Sequence, residues 1–184
     1  MRVVLLKRKL TSFQIIIIGF SGVIIFGTFL LMLPFSSRSG LATPFFEALF
    51  TSTSAVCVTG LIIHDTATYW SVFGQIVILL LIQIGGMGVI TVAASFAMIS
   101  GRKISLMQRS TMQEAISAPK VGGIVRLTGF IVRGTLVMEL LCAAVMAPVF
   151  CRDFGKKGLW MALFHSVSAF CNAGFDRLGV RTPF

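Results

Sequence analysis

Apolar residues run almost without interruption through three stretches of this chain, and the polar positions between them are few and clustered. Neither Leu10 to Ser37 nor Thr66 to Gly101 contains a charged residue. About 20 apolar residues suffice for a helix to cross a bilayer core ~30 Å thick. The pattern predicts a first spanning helix over Phe13 to Leu33, stopped by Pro34, which cannot continue it. It predicts a second from Trp70 to Ser100 and a third from Ile124 to Val149. The second is longer than the core is thick at about 1.5 Å per residue, so it should tilt or bend. Gly85, Gly86 and Gly88 mark the expected place, and they also let a neighbouring backbone approach closely. Two shorter apolar runs remain, Phe45 to about Thr53, opened by Pro44, and Leu159 to about Val167. Nine residues rise roughly 14 Å, less than half the core, so each run should enter and leave the membrane on one side.

The expected fold is an all-α membrane protein built from helix–pore loop–helix units. Residues 1–101 form a first repeat, 102–120 a polar connection, and 121–184 a second repeat without its closing helix. A re-entrant loop left unclosed exposes backbone polar groups to lipid. The expectation is therefore that these residues act within a longer polypeptide.

The two short runs are copies of one another. Ala48 to Gly60 aligns without gaps on Ala162 to Gly174, 114 positions later, with eight of thirteen residues identical. Each copy passes through Ser-Ala-x-Cys and ends on glycine. Cys57-Val58-Thr59-Gly60 and Cys171-Asn172-Ala173-Gly174 are the candidate ion-binding strands, acting through their backbone. Replacing the water shell of a cation requires successive carbonyls to face one axis, which an ordinary strand cannot do because its carbonyls alternate. Glycine admits the backbone angles this needs. The short helix before each strand directs its carboxyl end, with about half a negative charge, at the same place, which favours a cation. A single copy would read more readily as a glycine turn between packed helices; the duplication reverses this and favours a pore.

Charge changes the picture in two ways. The net charge of +10 could suggest nucleic acid, but in a chain 56% hydrophobic and 12% charged the basic residues flank the apolar spans, as membrane topology requires. Four of them precede the first helix, and Arg102, Lys103, Arg109 and Lys120 follow the second. The loop between these helices holds only Arg38, with Glu47 and Asp65. The amino terminus is thus expected in the cytoplasm and both short helices enter from outside; Arg152, Lys156 and Lys157 count against this without reversing it. The first apolar run is too long for a signal peptide.

Other residues give weaker signals. The cysteines (Cys57, Cys142, Cys151, Cys171) show no CxxC spacing, which argues against a disulfide framework or zinc site. Glu139 lies deep in the third span, where an ionisable group is usually partnered, and an interhelical contact is expected. Arg133 is about 240° around the helix from it, and shares with Arg126 a face from which both can snorkel. His64 is expected at the outer surface, His165 packed, and Trp70 as an interfacial anchor. A membrane thiol or redox enzyme using Cys57 and Cys171 with His64 and His165 is an alternative, as is a non-conducting membrane fragment. No enzymatic activity and no cofactor is expected on the main reading.

Phe50 to Leu61, Gln83-Ile84-Gly85-Gly86-Met87-Gly88, and Ser168 to Asp176 together resemble the Trk/Ktr/HKT superfamily of potassium transporters. The nearest branch is the membrane subunit of bacterial Ktr-type uptake systems. The resemblance implies four repeats in one polypeptide, each giving one filter strand with a central glycine, here Gly60 and Gly174. It implies potassium uptake at that filter, with sodium as a coupling or activating ion, in the plasma membrane. It further implies a homodimer and a cytoplasmic, nucleotide-binding ring of regulatory subunits.

Overall fold

A computed structural model describes residues 11–89, 91–92, 110, 112–114 and 124–179. All its named elements are helical, as the apolar pattern predicts. Helix α1 (Ser12–Met32) starts on a capping box. Thr11 Oγ1 accepts the Gln14 N–H at 3.4 Å, and the Gln14 side chain accepts the Thr11 N–H at 3.0 Å. It ends just before Pro34, whose ring disfavours helical geometry at Leu33. Ile17, Ile18, Phe26 and Phe29 stay exposed along it, as expected of a helix that is apolar all round and faces lipid. Its other side packs on α2 (Phe45–Val56) and α3 (Val72–Met87).

The second span is interrupted at the glycines expected to mark its bend. It is broken by Gly88, whose φ of +83° lies outside the helical region and is open to glycine at little cost. The Gly88 N–H closes the helix on Gly85 O at 3.1 Å, and a new turn begins where Val92 N–H bonds Gly88 O at 3.1 Å. The remainder of the expected span, 93–100, and nearly all of the 102–120 connection lie outside the described residues.

Helix α4 (Ile124–Phe154) runs five residues past its expected end at Val149, straight through Pro148. Proline deletes one intrahelical hydrogen bond, whereas ending the helix in an apolar surrounding would strand several backbone groups. The actual stop is Gly155, φ +61°, whose N–H caps Cys151 O at 2.9 Å. Helix α5 (Lys157–Phe170) follows at once and outruns its expected bounds, Leu159 to Val167, at both ends. Helices α1 and α4 are both long and apolar enough to cross a membrane; α3 is a shorter apolar helix.

The core lies between the repeats. Ile78, Leu81 and Ile82 of α3 pack with Leu31 of α1, Ala48, Ala55 and Val56 of α2, and Phe164 and Val167 of α5. Trp70 corrects the sequence expectation: it is 0% exposed and belongs to this core rather than to an interface. The reason is local. Two backbone bonds, Arg38 N–H to Tyr69 O and Ser71 N–H to Ser36 O, both 2.9 Å, tie its segment to the loop after α1 and turn the indole inward.

Candidate functional site

Helices α2 and α5 run to their carboxyl ends and turn into the two glycine loops in the same way. Cys57 N–H bonds Thr53 O at 2.8 Å, and Cys171 N–H bonds Val167 O at 3.0 Å. Thr59 N–H returns to Ser54 O at 3.0 Å, and Ala173 N–H to Ser168 O at 2.7 Å. The serine hydroxyls then brace the loops: Thr59 Oγ1 donates to Ser54 Oγ at 2.9 Å, and Ser168 Oγ donates to the Phe175 carbonyl at 2.6 Å. Both serines belong to the duplicated motif, but their partners depend on the folded loop and could not be read from it.

The backbone angles repeat as well. Val58 has φ +58° and Asn172 +57°; Gly60 has +75° and Gly174 +71°. The residues between them keep negative φ, so the sign alternates through both four-residue strands. Such alternation gathers N–H groups on one side of the chain and carbonyls on the other. Several of the N–H groups are spent on the last helical turns. Among the described residues, no hydrogen bond reaches the carbonyl oxygens of Cys57 to Gly60 or of Cys171 to Gly174. The left-handed Val58 was not foreseeable, because a β-branched residue rarely adopts positive φ.

The strands meet at their glycines. A Cβ built on Gly60 would lie 2.8 Å from the Ala173 carbonyl oxygen and 3.3 Å from Gly174 Cα. Two segments 114 residues apart are thus brought side by side, with the negative ends of two helix dipoles behind them. Helix α3 wedges the arrangement from the rear. A Cβ on Gly85 would overlap the Val56 carbonyl, and one on Gly86 would lie 2.5 Å from Cys171 Sγ. Gly88 serves differently, as the break itself.

Polar contacts support the site from outside and inside. Gln75, wholly buried, donates from Nε2 to Thr66 O at 3.2 Å and Trp70 O at 3.0 Å, and accepts the Trp160 indole N–H at 3.2 Å, linking the repeats. Neither Gln75 nor Trp160 carried a sequence signal beyond an apolar context. His64 is not free surface: Nε2 is 2.7 Å from Glu47 Oε2, and the ring stacks on Tyr69 with centroids 3.8 Å apart. His165 is packed as expected, donating from Nδ1 to Met161 O at 2.8 Å and accepting the Arg177 N–H at Nε2 at 3.3 Å. The Arg177 guanidinium sits 5.9 Å above the Trp160 ring, and burial, then Arg38, lower its pKa. Deeper in, Glu139 is 3% exposed and accepts from Gln83 Nε2 at 2.9 and 3.1 Å, the interhelical contact anticipated. Arg126 and Arg133 are exposed on α4.

A family model described as cation transport protein, TrkH, matches residues 7–179. The chain is 44% identical over 174 residues to the potassium/sodium uptake protein NtpJ of Enterococcus hirae, covering 94% of this chain and 39% of that protein. It is 44% identical over 169 residues to the Ktr system potassium uptake protein B of Bacillus subtilis, covering 91% and 38%. Against the protein of the same name from Vibrio alginolyticus the identity is 39% over 170 residues, covering 92% and 37%. The chain thus spans less than two-fifths of the length of these relatives. All are transporters, which sets the thiol-enzyme reading aside. Since the match takes in every described residue, including both glycine loops, the chain belongs to the TrkH family of membrane cation transport proteins.

Proposed function

We propose that this chain supplies two filter strands, Cys57 to Gly60 and Cys171 to Gly174, of a potassium-uptake pore. The observation that carries the reading is the pair of strands with alternating φ, touching at Gly60 and Gly174, whose carbonyls accept no hydrogen bond among the described residues. Dehydrated cations would pass along these carbonyls down their electrochemical gradient. Two strands cannot surround an ion, so the pore takes two further repeats from the same polypeptide. Support for a closing helix in the second repeat comes from an apolar groove between α4 and α5, lined by Leu141, Val145, Ser166, Ala169 and Phe170. The first-repeat counterparts of the last three, Ser52, Ala55 and Val56, are all buried in α2, on which α3 packs. By the names of its Ktr relatives, the subunit works within a multi-component system; we take it as a homodimer on a cytoplasmic nucleotide-binding ring. Sodium as coupling or activating ion belongs to the same reading.

The test is growth of a potassium-uptake-deficient bacterium at low potassium. The full-length transporter containing this segment is expected to restore it, and residues 1–184 alone are not. Rescue by the short chain, with no longer product present, would overturn the four-strand pore.

The proposed orientation puts the amino terminus in the cytoplasm and the mouths of both loops outside. A cysteine placed at Ser39 is expected to react with a membrane-impermeant maleimide in intact cells, and one at Ser105 to react only after permeabilisation. The reverse pattern would turn the loops over and remove the filter assignment.

A further inference from the structure

The two repeats are alike in backbone, and among their differences in charge one lies beside a glycine loop. Ser52 Oγ donates to Ile24 O at 2.8 Å, and the equivalent Ser166 Oγ donates to Glu139 O at 2.6 Å. These bonds lock each short helix to the long helix before it, and they put Glu139 where the first repeat has Ile24. The carboxylate stands beside the second loop, with Oε1 4.0 Å from Cys171 Sγ. Cys171 is held between this group and Gly86. Gln83 supplies a neutral donor to both oxygens. Among the described residues the ion pair present is His64 with Glu47, and no Lys, Arg or His pairs with Glu139. Arg133, the nearest basic residue along α4, is six positions away and exposed.

A buried carboxylate without a cationic partner is costly in a membrane protein, and such groups are normally balanced by a charge nearby. Here the place built to receive positive charge is the loop that Cys171 opens. We propose that the counter-ion of Glu139 is the permeant cation itself, held at the second filter strand, so that Glu139 is a specificity-determining residue absent from the first repeat. The coupling is reciprocal: the carboxylate strengthens cation binding, and the bound cation stabilises the carboxylate. The charge would make the second strand a tighter cation site than its neutral counterpart, so an early effect on affinity is expected rather than on maximal rate.

This inference rests on the filter reading, and the experiment separates the two. In the full-length transporter, E139Q keeps the shape and lets two amides pair in place of Glu139 and Gln83, while removing the charge. Its KM for potassium should rise about tenfold with maximal uptake and membrane protein amount nearly unchanged. The double variant Q83E/E139Q returns a carboxylate to the same pair from α3 and should recover most of the affinity. A merely structural hydrogen bond would leave the KM of E139Q at the wild-type value, and that result overturns the proposal. So does a raised KM that the charge-returning double variant, present at normal amounts, does not recover. Gly174→Ser is measured alongside. If it shifts ion preference while E139Q leaves affinity unchanged, the role of Glu139 alone is lost; if it too has no effect, the filter reading fails with it.

Discussion

Replacing Gly60 by serine in the full-length transporter is expected to lower apparent potassium affinity and admit relatively more sodium, with normal amounts of protein in the membrane. Two costs combine at this position. The φ of +75° is a region that L-residues occupy at about 1–2 kcal/mol, where glycine enters freely. The new Cβ would also sit 2.8 Å from the Ala173 carbonyl oxygen, closer than real Cβ contacts come, and that neighbour is backbone. The second strand must therefore give way, and it moves the oxygens proposed to bind the ion. Each 1.4 kcal/mol is about a factor of ten in an equilibrium constant, so even partial relaxation should blunt discrimination severalfold. Competition of sodium with potassium or rubidium uptake measures it. Gly88→Ser is the comparison: its φ is also positive, but the nearest atom to a Cβ there is Thr91 Oγ1 at 3.9 Å, and the glycine loops are not touched. That variant should disturb folding or gating more than ion preference. Unchanged affinity and sodium exclusion in Gly60→Ser would show that the Cys-x-x-Gly loop is not the filter.

A single methyl group at Gly85 should be worse for the protein than serine at Gly60. On propensity alone Gly85→Ala in a helix would gain up to about 1 kcal/mol. Against this, its Cβ would fall on the Val56 carbonyl, at the turn where α2 becomes the first loop. Both sides of the contact are main chain, so neither can swing away as a side chain would. Overpacking typically costs about 1–3 kcal/mol and sometimes more, which outweighs the propensity gain. The expected outcome is a thermal midpoint in detergent several degrees below wild type, less protein in the membrane and little transport. Gly22→Ala on α1, where a Cβ would meet nothing within 4 Å, should be close to neutral. A normal midpoint and normal transport in Gly85→Ala would mean that α3 does not press on the first loop.

Much of this architecture was legible in the residues. Uncharged runs must be satisfied by helices in a membrane, because no water is available there for the backbone. Duplication of Ser-Ala-x-Cys-x-x-Gly placed the two loops and their glycines, since a repeated spacing imposes a repeated local geometry. Glycines also marked the interruption of the second span at Gly88. What the pattern handled badly was where the third helix stops: Pro148 fails to interrupt it, because the outcome depends on what the freed backbone groups can bond instead.

Other features belong to the tertiary structure alone. Positive φ at Val58 runs against the local preference of a β-branched residue, and the turn is closed by the Thr59 N–H bond back to Ser54 O. The contact of Gly60 with Gly174 joins positions 114 apart, and no local pattern encodes which segments become neighbours. Trp70 looked interfacial by composition, yet the strand-like pairing of Ser37 with Trp70 turned it into the core. Glu139 was visible as a lone charge in a span, but only packing put it beside Cys171 and opposite Gln83. Sequence determined which segments form apolar helices and which are repeats of one another, because solvation and local geometry act on each residue where it stands. Tertiary structure decided which carbonyls, glycines and charges face each other, because that depends on helices that meet only after the chain has folded.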